Sequence, residues 1–289
     1  MVSDIVVNGF ISGSIYALLA IGFSLIFGVA RIVNIAHTAF YMVAAYAIHF
    51  ALHALGIPYL VSMPIAVVLV VALGLLSYRA VINPIQEHEA AVLIATIALA
   101  MVFQEVILLL FKGHYRGTPP LIAGFLVIGG VKVAYQQLLT FGVVLAVLGG
   151  VWTFLSKTKL GLAIRATAQD REVANLMGMD VSEIAMITMG ISVGMAGIAG
   201  AIVVPLFVLD PFMWLAPLIM VMAVVVLGGL GSLKGSFLGA YILGFAESIV
   251  VFLVPMGSFL KGSVALSVMI AVLLLRPEGL FGIAFEEER

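Results

Sequence analysis

Apolar runs about as long as a lipid bilayer is thick recur along almost the whole chain. A hydrocarbon core of about 30 Å is crossed by roughly 20 residues of α-helix, because each residue rises about 1.5 Å. Nine runs approach this length, and this pattern predicts a polytopic bundle of about eight or nine transmembrane helices. The runs are 5–28, 36–55, 60–79, 90–111, 137–155, 184–208, 214–230, 236–254 and 262–276.

Composition excludes the soluble class and the transmembrane barrel class. Hydrophobic residues make up 64% of the chain and charged residues 9%, whereas a soluble protein carries about 25% charged residues. A transmembrane barrel would show short alternating strands in place of continuous apolar runs. The sequence has no basic tract that would predict nucleic-acid binding. The lack of Cys excludes thiolate metal sites and a cysteine nucleophile. We therefore predict an all-α integral membrane protein that forms a single domain, 1–289.

One long polar run interrupts the apolar pattern, between Lys157 and Asp180. A stripe of mostly small side chains recurs in it at helical steps of three or four residues, and Gly178 stands where a helix would stop. The stripe consists of Ala163, Ala166, Asp170, Ala174 and Met177. The opposite face carries Arg165 and Glu172. The residues alone leave two interpretations open, a helix that docks into another protein or a solvated helix that only connects two spans.

The distribution of Lys and Arg predicts the orientation. If this polar run is cytoplasmic, alternation of the spans leaves nine basic residues inside and four outside, which the positive-inside rule favours. The N-terminus is then outside and the C-terminus inside. The connector 112–136 is then the external loop that is large enough to meet an extracytoplasmic partner, and its two glycines at 129–130 predict a small hairpin.

A second polar interruption follows the first span. Asn34, His37 and Thr38 are spaced so that one helical face can present them together. Polar side chains at membrane depth are costly unless they face the bundle interior or an aqueous cavity. One interpretation is a broken helix that lines a substrate path. The other is a short interfacial loop, followed by a helix whose polar groups bond to neighbouring helices.

Two acidic residues, Glu105 and Glu247, lie inside predicted spans. A buried Glu105 would be a substrate or proton site, although it is close enough to the end of its span to reach the interface or to bond to a neighbouring helix. The same alternatives hold for Glu247. No metal site is predicted, because the consecutive residues Glu87, His88 and Glu89 point in different directions on a helix and cannot converge on one ion.

Two sets of glycines predict close helix packing. The sixth span contains Gly190, Gly194, Gly197, Gly200 and Ala201. Further along the chain, Gly231, Gly235 and Gly239 follow one another at steps of four residues. In lipid, ridges of small residues let helix backbones approach closely. The segment GGLGSLKG among them also predicts a tight turn or an unwound helix. It lacks the G-x-x-x-x-G-K-[ST] pattern and predicts no nucleotide site.

Three of these stretches resemble one family, the membrane subunits of branched-chain amino-acid ABC importers of the LivH/LivM type. They are NIAHTAFYM, GLAIRATAQDREVANLMGMDV and GGLGSLKGSFLGAY, with RPEGLFG near the C-terminus as a weaker fourth. The resemblance extends over essentially the whole chain. Its most specific part is the pattern R-A-x-x-x-D-x-x-x-A-x-x-x-G, which Arg165, Ala166, Asp170, Ala174 and Gly178 match.

The resemblance implies a permease subunit of an ABC importer in the cell inner membrane, which is not an enzyme and needs no cofactor. It implies that the coupling loop, 157–183, docks into a groove of a cytoplasmic ATPase subunit. The implied partners are a homologous permease subunit, two ATPase subunits and an extracytoplasmic substrate-binding protein. The implied substrate is a small, largely apolar amino acid, and the residues expected along its path are Asn34, His37, Thr38 and Glu105.

The first motif departs from the family pattern N-x-A-H-G. Thr38 replaces the glycine, and Ala44 stands where a glycine is usual. This departure falls in the expected path lining, so urea and short amides stay open as alternative substrates. A second function class is an ion-coupled secondary transporter, which would use Glu105, Glu247 and His37 as proton sites and would need no ATPase.

Overall fold

The structure, a computed structural model, describes residues 2–128, 130–276 and 278–281. Each of the nine predicted apolar runs contains a helix, which confirms the helical bundle. Helices α1 to α5 are Val2–Ala30, His37–His53, Tyr59–Ser77, Glu89–Phe111 and Tyr135–Lys157. Helices α6 to α11 are Lys159–Gln169, Arg171–Leu176, Val181–Val203, Leu215–Gly228, Leu233–Leu253 and Lys261–Leu275.

Seven helical stretches in the described part of the chain are long and apolar enough to cross a membrane. They contain α1, α3, α4, α5, α8, α10 and α11. The helix α9 is apolar but has only 14 residues, and α2 has 17. The structure therefore confirms a multi-span membrane bundle but not the predicted count of eight or nine spans.

The helix α1 forms the centre of the bundle. Within its most apolar stretch of 18 residues 78% are buried, against 6% in the corresponding stretch of α11. It packs against α5, α8, α9 and α10. Gly244 of α10 lies so close to α1 that an added Cβ would be 2.6 Å from the backbone nitrogen of Gly13. The outer face of α11 is left to lipid or to another protein.

Successive spans run in opposite directions, which gives the bundle two ends. The helices α6 and α7 lie at one end, beside the last residue of α1, and we call this the loop end. A hairpin of strands β1 (Phe125–Ile128) and β2 (Val131–Ala134) lies near the opposite end, which we call the N-terminal end. The strands are antiparallel, with Phe125 opposite Ala134. The predicted hairpin is confirmed, although Gly129 lies outside the described residues.

The predicted glycine packing is confirmed at the crossing of α9 and α10. A Cβ on Gly235 would overlap the carbonyl oxygen of Gly228, and one on Gly239 would lie 2.9 Å from the carbonyl oxygen of Val224. Gly231 contributes differently, because it lies in the turn before α10 with a left-handed φ of 80°. This turn confirms the predicted break in GGLGSLKG.

Gly190 and Gly194 do not require close packing. An added Cβ would lie 3.4 Å from Leu75 at the first position and 3.5 Å from Val71 at the second, which is ordinary van der Waals contact. The close approach of α8 occurs instead at Gly200, where a Cβ would overlap the carbonyl oxygen of Tyr41. Of the glycines in this pattern, Gly200 is therefore the one that makes the close contact.

The segment after α11 returns to the end of α9. The backbone N–H groups of Leu280 and Phe281 donate to the carbonyl oxygens of Leu227 and Gly228, at 2.8 and 3.0 Å. These bonds satisfy carbonyl groups that the last turn of a helix leaves without partners. The weak RPEGLFG motif is therefore an anchor for α9 at the loop end, and its Pro277 and Gly282 lie outside the described residues.

Candidate substrate path and coupling surface

The chain between α1 and α2 turns back into the bundle. Arg31 follows α1 with a left-handed φ of 56°, and residues 31–36 then run without helix to His37. The backbone N–H of Ile35 donates to Oγ1 of Thr96 in α4 at 3.3 Å. Irregular backbone is tolerated at membrane depth only where protein buries it. We call 31–36 the re-entrant segment.

The helix α2 begins near the middle of the bundle. His37 Nε2 lies 3.0 Å from the carbonyl oxygen of Leu19, and Nδ1 lies 3.3 Å from the hydroxyl of Ser192. Leu19 is eleven residues before the end of α1 and Ser192 is eleven residues after the start of α8. Both helices therefore place His37 about 16 Å from the loop end, at 1.5 Å per residue. The predicted helix break is present and lies deep in the bundle.

The contacts of His37 define its tautomer. A carbonyl oxygen can only accept, so Nε2 carries the proton that bonds to Leu19. Nδ1 then accepts from the Ser192 hydroxyl. Both ring nitrogens of a fully buried His37 are thus occupied by neighbouring helices, as the second of the two sequence interpretations expected.

Asn34 and Thr38 share the burial of His37 but not its complete bonding. Both are fully buried. Asn34 Nδ2 donates to the sulfur of Met189 at 3.7 Å, whereas Asn34 Oδ1 and Thr38 Oγ1 have no hydrogen-bond partner within the described ranges. A buried polar group without a partner costs about 1–3 kcal/mol. The start of α2 therefore holds two oxygens that a ligand or another conformation would satisfy.

Glu105 does not join this cluster, and of its two sequence interpretations the structure favours the one in which it is not buried. Its side chain lies on the exposed face of α4, whereas Gln104 beside it is buried. Gln104 accepts a hydrogen bond from the indole N–H of Trp214 at 2.9 Å and donates to Glu105 Oε1 at 3.3 Å. Helical period alone could not decide which member of the Gln104–Glu105 pair faces inward.

Glu247 is buried and neutralised by contacts within the chain. One carboxylate oxygen lies 2.8 Å from the ammonium of Lys261, and the other accepts a hydrogen bond of 2.5 Å from the Tyr16 hydroxyl. The three residues proposed as proton sites therefore have separate environments. Glu105 faces outward, His37 bonds to α1 and α8, and Glu247 forms an ion pair.

The polar run folds as two short helices, so the predicted single helix is wrong. The first, α6, ends at Gln169. Asp170 is extended, with a φ of −149°, and its Oδ1 accepts from the backbone N–H of Val173 at 2.9 Å. Asp favours this capping position because its side chain competes with helical hydrogen bonds. Gly178 follows α7 with a left-handed φ of 83°, which confirms the predicted stop.

The small residues of this run face the chain itself. Ala174 is 3% exposed and Ala166 is half-buried. The surface that is free for a partner is instead apolar, since Leu176 is 85% and Met177 76% exposed. Val173 and Leu162 are also exposed, and Val173 shares one face of α7 with Leu176 and Met177 by its spacing. We call Leu162, Arg165, Val173, Leu176 and Met177 the coupling surface.

Two arginines tie α6 and α7 to the end of α1. Arg171 donates to the carbonyl oxygen of Ala30 and to Gln86 Oε1, each at 3.5 Å. Arg31 donates to the carbonyl oxygen of Ala168 at 3.4 Å. The helices α6 and α7 therefore contact the residues at which the re-entrant segment begins. No local pattern in the sequence predicts these bonds.

A family model described as the permease component of a branched-chain amino acid transport system matches residues 5–275. The chain belongs to this family. Within the family it is 31% identical to the high-affinity branched-chain amino acid permease protein BraD of Pseudomonas aeruginosa, over 96% of this chain and 94% of BraD. It is 28% identical to LivH of Escherichia coli, over 95% of this chain and 94% of LivH.

A relative from an archaeon and one solved structure extend the comparison. The chain is 29% identical to a probable LivH of Methanocaldococcus jannaschii, over 96% of this chain and 91% of that protein. Its fold resembles PsaBC from Streptococcus pneumoniae, solved in complex with Fab, with a TM-score of 0.54 at 15% identity over 96% and 97% of the two chains. This family and the apolar helices confirm a multi-pass membrane permease.

Proposed function

We propose that the chain is the permease subunit of an ABC importer, which moves a branched-chain or similar small amino acid across the inner membrane. ATP hydrolysis in separate subunits would drive the transport. The observation that carries this proposal is the coupling surface, whose apolar side chains are exposed outside the spans. Exposed apolar patches on a membrane protein's aqueous end mark contacts with other proteins. The names of BraD and LivH support the substrate class.

The contacts of α6 and α7 suggest how an ATPase would act on the path. A movement of the coupling surface would reach Ala30 and the re-entrant segment through Arg171 and Arg31. Such a rigid-body movement can shift a transporter between two states that open to opposite sides. The unpaired oxygens of Asn34 and Thr38 support a second state, because the present one leaves them without partners.

The proposed partners fit surfaces that the chain leaves open. The coupling surface would contact one of two cytoplasmic ATPase subunits. A homologous permease subunit would cover outward faces such as those of α4 and α11, one of which carries Glu105. A substrate-binding protein would deliver the amino acid at the N-terminal end, where the hairpin lies. An ion-coupled transporter is not favoured, because its three candidate proton sites do not converge.

A docking variant tests the proposal in the complete complex. Leu176→Asp should insert at the normal level but weaken ATPase association about thirtyfold, since loss of one central apolar contact costs roughly 2 kcal/mol or more. Stimulation of ATP hydrolysis by the loaded binding protein should fall with it. Leu121→Asp makes the same change on the external connector and should have no effect on either quantity.

Uptake by the reconstituted complex tests the substrate. The wild-type complex should accumulate leucine only with ATP and binding protein, and should not accumulate urea. Unchanged ATPase association in Leu176→Asp would remove the docking role from α7. ATP-dependent accumulation of urea in place of leucine would contradict the proposed substrate class but not the proposed importer function.

A further inference from the structure

A cavity of about 330 Å³ lies between α1, α2, α9 and the start of α11. Its volume is near the lower limit of small-molecule sites, which span about 300–1,000 Å³. Phe207 and Val208, in the connection after α8, line it at the N-terminal end, and Leu19 and Tyr41 line it towards the middle of the bundle. The rest of the lining is mostly aliphatic and includes Ile15, Met213, Ile219 and Met220.

Two lining residues lie close to the polar start of α2. The carbonyl oxygen of Leu19, a lining residue, accepts the hydrogen bond from His37. Tyr41, another lining residue, lies about one helical turn after His37 on α2. The cavity therefore reaches the neighbourhood of the buried His37 through Leu19 and Tyr41. Its position is that of an entrance to the proposed path.

The lining of this mostly apolar cavity includes a lysine whose counter-ion is a glutamate of the same chain. Lys261 lines the cavity with a side chain that is 44% exposed, while its partner Glu247 is 3% exposed. The two carboxylate oxygens of Glu247 are occupied by Lys261 and Tyr16. An ammonium group has three N–H donors and Glu247 takes one. The ion pair thus holds the ammonium at the cavity and leaves two of its N–H donors for a ligand.

Two hydroxyl groups also line the cavity. Ser12 and Tyr41 line the cavity, and neither side chain has a hydrogen bond to any residue that the structure describes. Hydroxyl oxygens accept as well as donate. The lining therefore offers a cation and two free acceptors within a mostly aliphatic space. An acyl chain of a lipid would use only the aliphatic part.

We propose that this cavity is the outward-facing binding site for a free, zwitterionic aliphatic amino acid, an assignment that rests on the proposed import function. Lys261 receives the substrate carboxylate, and the hydroxyls of Ser12 and Tyr41 receive its ammonium. The aliphatic side chain packs against Met213 and Met220, whose flexible thioethers adapt to different branched shapes. Glu247 acts as a positioning residue, because it holds Lys261 without reaching the cavity itself.

Photo-crosslinking of the complete complex in lipid nanodiscs tests the site, with the diazirine analogue photo-leucine as the probe. Without nucleotide, the probe should label peptides that contain Tyr41, Met213 or Met220. Excess leucine should compete at least tenfold better than 4-methylpentanoate, which lacks the ammonium, or 3-methylbutylamine, which lacks the carboxylate. Each of these two competitors loses one charge-assisted bond of the proposed site.

Two variants separate recognition from folding. Lys261→Met combined with Glu247→Gln removes both charges together, so that no buried carboxylate is left without its partner. We expect labelling to weaken about ten- to a hundredfold, as loss of a hydrogen bond to a charged group implies. Tyr41→Phe removes a single hydroxyl and should weaken labelling about fivefold at unchanged thermal stability. Lys112→Met, a cation removed outside the cavity, is the matched control.

The outcomes distinguish the two proposals. A wild-type complex that shows no ATP-dependent leucine uptake overturns the proposed function. Normal leucine uptake, with labelling outside the cavity or labelling that the double variant and Tyr41→Phe leave unchanged, overturns the site alone. Equal competition by leucine and 4-methylpentanoate would show that the cavity selects only an apolar shape, as a lipid cleft would, and this too overturns the zwitterion site.

Discussion

Two segments break the apolar pattern of this chain, and their residues are placed in opposite ways. The re-entrant segment and the start of α2 put polar side chains inside the bundle, where both ring nitrogens of His37 have partners. The pair α6–α7 puts apolar side chains outside the spans, where Leu176 is 85% exposed. The first segment is buried by this chain, although one oxygen each of Asn34 and Thr38 lacks a partner, whereas the second leaves a surface that this chain does not cover.

This difference predicts where substitutions act. In the interior, loss of one partner leaves another group unpaired, so the folded bundle loses free energy of unfolding. On the coupling surface, the same loss should leave the bundle unchanged and weaken an association. The bonds that Arg31 and Arg171 donate join the two segments at 3.4–3.5 Å, which is long for a hydrogen bond. Long bonds of this kind can be exchanged at small cost during a movement.

The largest effect on stability is expected from His37→Leu. The substitution leaves the Ser192 hydroxyl unpaired in the interior, at about 1–3 kcal/mol, and removes the side-chain bond to the Leu19 carbonyl, at about 1 kcal/mol. Thermal denaturation of the purified complex in detergent should show a lower midpoint. His37→Gln keeps one donor and one acceptor and should recover much of the loss. A fully stable His37→Leu protein would show that these contacts do not hold α2.

A smaller loss is expected from Ala174→Leu. Because Ala174 is buried within the chain, the larger side chain overpacks the contact of α7, at roughly 1–3 kcal/mol. Limited proteolysis of the coupling loop should become faster. Val173→Leu, at the exposed position next to it, should leave proteolysis unchanged. If Ala174→Leu instead spared the loop and removed ATPase association, Ala174 would face the partner, as the sequence pattern predicted.

The smallest effect on stability is expected from Thr38→Val, and this substitution should stabilise the protein. Valine keeps the shape and removes the unpaired hydroxyl, so the free energy of unfolding should rise by about 1 kcal/mol. Transport should slow if the hydroxyl is bonded only in another state. Thr96→Val removes a hydroxyl that bonds to Leu93 and Ile35, and should lower stability. Equal shifts of the same sign in both variants would contradict this assignment.

Local patterns in the sequence predicted where helices break and turn better than they predicted which residues contact one another. The break before α2, the stop at Gly178 and the turn at Gly231 were predicted because each depends on residues close in sequence. The burial of Asn34, His37 and Thr38 followed from the cost of polar groups in lipid. Their partners Leu19, Met189 and Ser192 could not be predicted, because an apolar helix gives no signal for which residue faces which neighbour.

The errors share one physical cause. Asp170 fits a helical stripe by spacing, but an N-cap residue also fits that spacing, and its side chain favours the break. Gln104 and Glu105 are adjacent, so the period of the helix allows either one to face inward. Small residues at Gly190 and Gly194 permit a close approach without requiring one. In each case the sequence allowed two arrangements, and a contact distant in sequence decided between them.

The central position of α1 has a consequence for the order of assembly in the membrane. Its hydroxyl-bearing Ser14 meets Tyr241 of α10, which is 227 residues later in the chain. At about 5–20 residues per second of synthesis, roughly 10 to 45 s pass before that partner exists. During this interval α1 is already made but still lacks its partners α8, α9 and α10. Newly inserted α1 must therefore be shielded by lipid or by the insertion machinery until the second half of the chain arrives.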